Sequence, residues 1–248
     1  MTFSSVIDKK LPNLIFLHGW GGCWQSWFPI LERLKKDFNL YAPDLPGFGQ
    51  EPISQPYSLD DYIDFVVDFI KKNKIKNPIL IGHSFGGAIA SKIAANKIIQ
   101  LKTIILIDAA PIRYNLNPKQ KTISLITKPA KIILSLPLIN KFYQPIKKLL
   151  YKSLKLEDSG YSDLTNPILK KTFTTVIRED LTPILSNIKI PTLIIWGEND
   201  TATPLSAGKK INSLIPKSKM IIFKNTSHFS YLDDQEKFVT EIKKFIKL

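Results

Sequence analysis

The stretch ILIGHSFGGAIA at 79–90 constrains this chain more than any other. Its first part is short, continuous and apolar, as a strand buried on both faces of a parallel sheet must be. Its second part is rich in small residues and reads as a helix. Between them Gly82 to Gly86 spell G-x-S-x-G. A strand that turns directly into a helix forces the residue at the turn into a strained backbone conformation. Gly82 and Gly86 remove the side chains that would hold strand and helix apart. The context predicts a nucleophile elbow, with the Ser84 hydroxyl at the carboxyl end of the sheet. That edge is where open α/β sheets bind ligands.

The same apolar pattern recurs at 13–18, 38–42, 103–108, 192–197 and 220–223. Helical patterns lie between these runs. Ser58 and Asp61 make a capping-box-like start, with Asp where Glu or Gln is usual, and the helix runs to about Lys72. Ile63, Val66, Val67 and Ile70 fall on one face of it. Residues 236–246 form a second amphipathic helix. Strands alternating with helices predict an α/β fold with a mostly parallel, doubly wound sheet. The alternation breaks over 111–189. Asn117-Pro118 and Asn166-Pro167 are helix starts there, and Pro129, Pro137 and Pro145 punctuate the segment. The expected organisation is a core of 1–110 and 190–248, with 111–189 inserted as a helical cap.

A serine hydroxyl needs a base, and the base needs an orienting acid. His228 is the one histidine that follows Ser84 outside the elbow. It comes just after the last apolar run. Asp200 closes WGEND at 196–200, just after the run before that. The two lie 28 residues apart, which leaves room for one helix and one strand. Asp200 is the first choice of acid. Asp108, which also ends a strand-like run, and Glu198 are the alternatives. The developing oxyanion needs fixed N–H donors. Phe85 N–H follows the nucleophile, and Trp20 N–H lies in the glycine-rich loop HGWGG at 18–22. His18 is expected to brace that loop and His83 to pack beside the elbow, neither being catalytic. DLPGFG at 44–49 shapes a pocket wall. Trp20, Trp24 and Phe229 are the candidate substrate-binding residues.

With these residues in place, the chain resembles the α/β-hydrolase superfamily. The resemblance rests on LHGWGG at 17–22, PDLPGFG at 43–49, IGHSFGG at 81–87, IIWGEND at 194–200 and TSH at 226–228, in that order. It implies Ser84, Asp200 and His228 as a catalytic triad, Trp20 and Phe85 N–H groups as the oxyanion hole, and a helical cap that shapes substrate choice. It implies neither a metal nor a cofactor. Relatives carry a strand pair before the first motif, so the short segment here is expected to cost the sheet a strand. Serine at the elbow argues against the dehalogenases and epoxide hydrolases of this superfamily, which place Asp there. A serine esterase acting on carboxylic esters is the expected function. LHGWG with DLPGFG is also similar to esterases that demethylate a pimeloyl–carrier-protein ester in biotin synthesis. Amide or C–C bond hydrolysis on the same triad, and a non-catalytic ligand receptor, are compatible with the same motifs.

Composition adds limits. One cysteine, Cys23, excludes an intramolecular disulfide, and three histidines argue against a His-rich metal site. The opening MTFSSVIDKK lacks the apolar stretch of a signal peptide, so a cytoplasmic location is expected. The net charge is +14, but only Arg33, Arg113 and Arg178 among the 35 basic residues are arginine. That lysine bias argues against nucleic-acid recognition, which leans on arginine. The charge is uneven. Residues 111–156 hold ten basic residues and no acid, so 46 residues carry +10 and the other 202 carry +4. An acidic carrier protein or an anionic membrane surface is the partner such a cap would attract.

Overall fold

The computed structural model describes residues 2–5, 7–113 and 166–246. Seven strands form one sheet: β1 (Thr2–Ser4), β2 (Asn13–Leu17), β3 (Asn39–Pro43), β4 (Ile79–His83), β5 (Thr103–Ile107), β6 (Thr192–Gly197) and β7 (Ser218–Phe223). Their order is β1-β3-β2-β4-β5-β6-β7. All neighbours are parallel except β1, which pairs antiparallel with β3 through Thr2–Pro43, Phe3–Ala42 and Ser4–Tyr41. Among the described residues, one short antiparallel edge strand stands where the resemblance carries two. The chain steps outward from β2 to β3, then crosses back over β2 to reach β4. The loops after β2 and β4 thus leave the sheet in opposite directions, the topological switch point at whose carboxyl ends open α/β sheets bind ligands.

The apolar runs explain the sheet's position. β3, β4, β5 and β6 are buried along their whole length, with side chains packed on both faces. One face meets α2 (Leu59–Lys72) and α3 (Phe85–Ala95); the other meets α1 (Phe28–Leu34) and α7 (Gln235–Ile246). Helix α2 starts as its sequence specifies. Ser58 Oγ accepts the Asp61 N–H at 3.3 Å, and Asp61 Oδ2 accepts the Ser58 N–H at 2.7 Å. Tyr62, Ile63, Val66, Val67 and Ile70 form its buried face. Burying each such apolar side chain is worth roughly 1.5–3 kcal/mol. Helix α3 lies flush against the sheet because Gly86 has no side chain. A Cβ there would run into the backbone of Leu17 and His18 at the end of β2.

The chain divides into two compact units, Met1–Arg113 with Leu164–Leu248, and Tyr114–Asp163. The second lies outside the described residues, as do the helix start at Asn117-Pro118 and the prolines at 129, 137 and 145. The start at Asn166-Pro167 is described. Asn166 Oδ1 accepts the Ile168 N–H at 2.9 Å and opens α4 (Pro167–Val176). Residues 166–189, read as cap from the sequence, pack with the core. Thr172 Oγ1 accepts the Tyr57 N–H at 3.0 Å, and Lys92 on α3 pairs with Asp60 at 2.6 Å and Glu179 at 2.5 Å. Helix α5 (Leu205–Leu214) joins β6 to β7, and the single turn α6 (Ser230–Asp233) precedes α7.

Candidate active site

Ser84 sits between β4 and α3 with φ 49° and ψ −111°, a conformation sterically costly for a residue with a side chain. The turn is held from both sides. Ser84 N–H donates to the Ile107 carbonyl at 3.0 Å, and the Ser84 carbonyl accepts the Ala110 N–H at 3.0 Å. Phe85 opens α3, so its N–H is among those a helix leaves without an intrahelical acceptor. The loop after β2 comes close to this turn: a Cβ on Gly19 would lie 3.3 Å from Ser84 Cβ and 2.7 Å from His83 Nδ1. Trp20 follows in that loop. Its ring packs edge-on against Phe48 at 4.8 Å, Phe85 at 5.4 Å and Phe173 at 4.9 Å.

Asp200 and His228 meet. His228 Nδ1 lies 2.9 Å from Asp200 Oδ2; the Asp200 side chain is fully buried and that of His228 is 12% exposed. A carboxylate only accepts, so the shared proton is on Nδ1 and the ring's lone pair is on Nε2. Asp200 is itself held. Its Oδ1 accepts the N–H groups of Ala202 and Thr203, both at 2.8 Å, and its Oδ2 accepts the Thr203 hydroxyl at 2.6 Å. Gly197, at the end of β6, lets the two loops touch, since a Cβ there would strike the backbone carbonyls of Thr226 and Ser227.

The remaining histidines hold these loops. His18 Nδ1 donates to the Gly19 carbonyl at 2.8 Å, and His18 Nε2 accepts the Leu45 N–H at 2.9 Å. His83 Nε2 donates to the His228 carbonyl at 2.8 Å, so the elbow grips the histidine loop by its backbone. Burial lowers His18 to about 4 and His83 to about 3. Both are therefore neutral at ordinary pH. Asp44, from DLPGFG, accepts the Trp24 N–H at 2.8 Å and the Gln50 N–H at 3.0 Å, tying the loop after β3 to the one after β2.

The two competing acids turn elsewhere. Asp108 spends its carboxylate on Gly197 and Ser230. Glu198 Oε2 accepts the Asn225 N–H at 3.1 Å. The three candidate pocket residues separate. Trp20 lies among the aromatics over the elbow. Phe229 is 42% exposed beside His228 and His83, with ring centres 5.5 Å and 5.1 Å away. Trp24 stacks on Phe3 of β1 at 5.5 Å and packs with the core on the opposite face of the sheet. Two residues outside the sequence-based set support the site. Thr203 was signalled only by its place three residues after Asp200. Ser230 carried no signal. Among the described residues, no three His, Cys, Asp or Glu side chains cluster to hold a metal ion, and no helix is long and apolar enough to cross a membrane.

The profile of the α/β-hydrolase fold family matches residues 12–235. The chain belongs to the α/β-hydrolase family. Its similarity to particular α/β hydrolases runs the length of the chain. The pimeloyl-acyl-carrier-protein methyl ester esterase of Wigglesworthia glossinidia brevipalpis is 30% identical over 264 residues, covering 99% of this chain and 97% of that one. An AB hydrolase superfamily protein of Bacillus subtilis is 29% identical over 248 residues, covering 94% and 90%. Among solved structures, an esterase from Exiguobacterium antarcticum superposes with a TM-score of 0.73 at 22% identity, covering 100% of this chain and 94% of the other, a likeness of fold.

Proposed function

We propose that this α/β hydrolase is a serine hydrolase that cleaves carboxylic esters through an acyl-enzyme. Ser84 Oγ attacks the ester carbonyl carbon while His228 Nε2 takes its proton. The oxyanion is met by the N–H groups of Trp20 and Phe85. Collapse breaks the bond to the leaving alkoxide, which takes the proton from His228 and departs as an alcohol. Water, deprotonated by the same nitrogen, then releases the acid and restores Ser84. The observation that carries this reading is the 2.9 Å bond between His228 Nδ1 and the fully buried Asp200 carboxylate, in a loop that is bonded through the His228 carbonyl to His83, the neighbour of a serine at a positive-φ turn. The test is a serine-directed phosphonate on the intact protein, followed by peptide mass mapping. The expected adduct is on Ser84, with loss of p-nitrophenyl ester hydrolysis in step. Ester hydrolysis that survives full labelling, or an adduct elsewhere, overturns the reading.

A narrower reading is favoured by the near full-length similarity to a pimeloyl-acyl-carrier-protein methyl ester esterase. In it the ester is presented by an acidic carrier protein, drawn to the segment 111–156 with its ten basic residues and no acid. Exposed charges are screened beyond roughly 8 Å at physiological ionic strength. Salt should therefore depress kcat/KM for a carrier-linked methyl ester far more than for the free ester. Equal salt response overturns the carrier reading. If anionic liposomes alone capture the protein, the basic segment serves a membrane instead.

A further inference from the structure

Asp108 ends β5, is fully buried, and has φ 46° in the left-handed region. Its Oδ1 accepts the Gly197 N–H at 2.7 Å. Its Oδ2 accepts the Ser230 hydroxyl at 2.6 Å and the Ser230 N–H at 3.2 Å. The Thr203 hydroxyl oxygen lies 3.0 Å from the Asp108 backbone carbonyl and 2.6 Å from Asp200 Oδ2, and its single proton is shared between these two acceptors. Gly197 precedes Asp200 by three residues, and Ser230 follows His228 by two. One side chain is thus bound to the acid loop on one oxygen and to the histidine loop on the other.

We propose that Asp108 is a positioning residue whose carboxylate straps the Asp200 loop to the His228 loop and so sets the alignment of their hydrogen bond. The proposal rests on the triad reading above and adds a residue that touches none of the reacting atoms. The donor count makes the strap specific to a carboxylate. Three N–H or O–H groups converge on two oxygens, which an acceptor-only group satisfies. An amide at this position turns an N–H toward a backbone N–H whichever way it is oriented. Only the Ser230 hydroxyl is free to turn round and accept.

The strap has its own titration. Burial is the main cause that raises Asp108, to about 7, and the Asp200 charge acts in the same sense. The bonds from Ser230 and Gly197, and the attraction of His228, oppose it. The titratable groups facing Asp108 are Asp200, His228 and the Tyr231 phenol of α6. Below about pH 7 a proton on Asp108 puts a new donor among three existing ones and loosens the strap. The acid limb of kcat/KM in the native protein should therefore be steeper than one titrating group produces.

The experiment is Asp108→Asn in the full chain. It reads kcat and KM for a p-nitrophenyl ester across pH, and the downfield proton resonance of His228 Nδ1–H. A misplacement of about 1 Å costs on the order of 10²-fold, so kcat should fall about 10- to 100-fold. KM should stay within about twofold, because binding is untouched. The acid limb should lose about one proton of steepness, and the resonance should shift or broaden. Unchanged kcat, limb and resonance overturn the proposal. A loss as deep as that of Asp200→Asn also overturns it, since Asp108 would then be the acid itself. If Asp108→Asn does not fold, Ser230→Ala decides, because it removes one donor and keeps the backbone bond. A shifted resonance with a several-fold drop in kcat supports the strap; neither change overturns it. The resonance reports the strap whether or not Ser84 takes the phosphonate, so failure of the triad reading and failure of the strap are separable.

Discussion

The two edges of the parallel strands treat polar side chains in opposite ways. At the carboxyl edge His18, Asp44, His83, Asp108, Asp200 and Ser230 are buried, and each is hydrogen-bonded to a residue from another loop. At the amino edge a cavity of about 530 Å³ is lined by Lys9, Lys10, Lys76 and Lys102, all exposed. A buried polar group is costly unless its partner is in place, so each one at the carboxyl edge specifies where another must be. An exposed ammonium is satisfied by water and specifies nothing. The contrast predicts that side chains of similar polarity differ by orders of magnitude in what their loss costs.

The sharpest test of the carboxyl edge is Ser84→Ala. On the mechanism proposed above, this change should reduce kcat by about 10⁴-fold or more, leaving what the proposed oxyanion donors and binding supply. Asp200→Asn should come close, at roughly 10⁴-fold, because the amide stabilises the wrong tautomer of His228. KM for both should change little. Steady-state kinetics on one p-nitrophenyl ester checks both. A Ser84→Ala variant that retains even a tenth of the native rate would break the contrast at its strongest point.

Thr203 sharpens the contrast within the buried edge. Its hydroxyl reaches Asp200 Oδ2 and the Asp108 carbonyl, and its own carbonyl accepts the Trp196 indole N–H at 2.9 Å. Thr203→Val keeps the shape and removes the hydroxyl. A hydrogen bond to a charged group is worth about 1.5–3 kcal/mol, so kcat should fall roughly tenfold with KM unchanged. The measurement is kcat beside the thermal midpoint. A fall in midpoint without a fall in kcat would make Thr203 a purely structural contact.

These residues also mark where sequence reading stops. The elbow, Asp200 and His228 are legible because each sits at the end of an apolar run, a signal contained in about ten contiguous residues. The Ser58–Asp61 capping box is legible for the same reason. The bracing role expected of His18 is present, and so is the packing of His83 beside the elbow. The bond from His83 to the His228 carbonyl joins residues 145 apart, and Asp108 to Ser230 joins residues 122 apart. Nothing local encodes such pairs. Strand β1 is three residues long, too short for a period to show. Nearness in sequence to Trp20 suggests a pocket position for Trp24, but the turn formed by Trp24–Trp27 carries its ring toward Phe3. Strand and helix begin to alternate again at 190, which sets the cap boundary expected from sequence. The contacts of Thr172 and Glu179 with the core are tertiary and leave no periodic trace.

Acid should damage the carboxyl edge specifically. His18 and His83 are lowered by burial to about 4 and about 3 in the folded protein, against an ordinary value near 6.5 once unfolded. Between those values the unfolded chain binds protons that the folded one refuses. Their contribution to stability is then complete above about pH 6.5 and is lost as pH falls toward the folded values, while Asp108, raised to about 7, contributes in the opposite sense over that window. Each histidine contributes at most about 1.4 kcal/mol per pH unit over its window. His18→Gln should flatten the fall in urea-unfolding stability between about pH 6.5 and 4, at some cost in stability near neutrality. An unchanged slope would mean that the ring is already charged, or accessible, in the folded state.

The amino edge should answer most weakly. Lys9, Lys10, Lys76 and Lys102 stand together at the amino ends of β2, β4 and β5, in a protein whose net charge is +14. Exchanging all four for Ala removes four like charges from one concavity. Self-repulsion falls, so stability should rise slightly at low salt, within about 0.5 kcal/mol per site, and the gain should vanish as salt screens the charges. Hydrolysis of a small uncharged ester should stay within about twofold, because none of the four lysines takes part in the hydrogen-bonded chain from β4 through His83 to His228. Urea unfolding at low and high salt, run beside ester kinetics, measures both quantities. A tenfold change in kcat/KM with native stability would mean that the amino edge feeds the site after all, and that burial is not what separates the two edges.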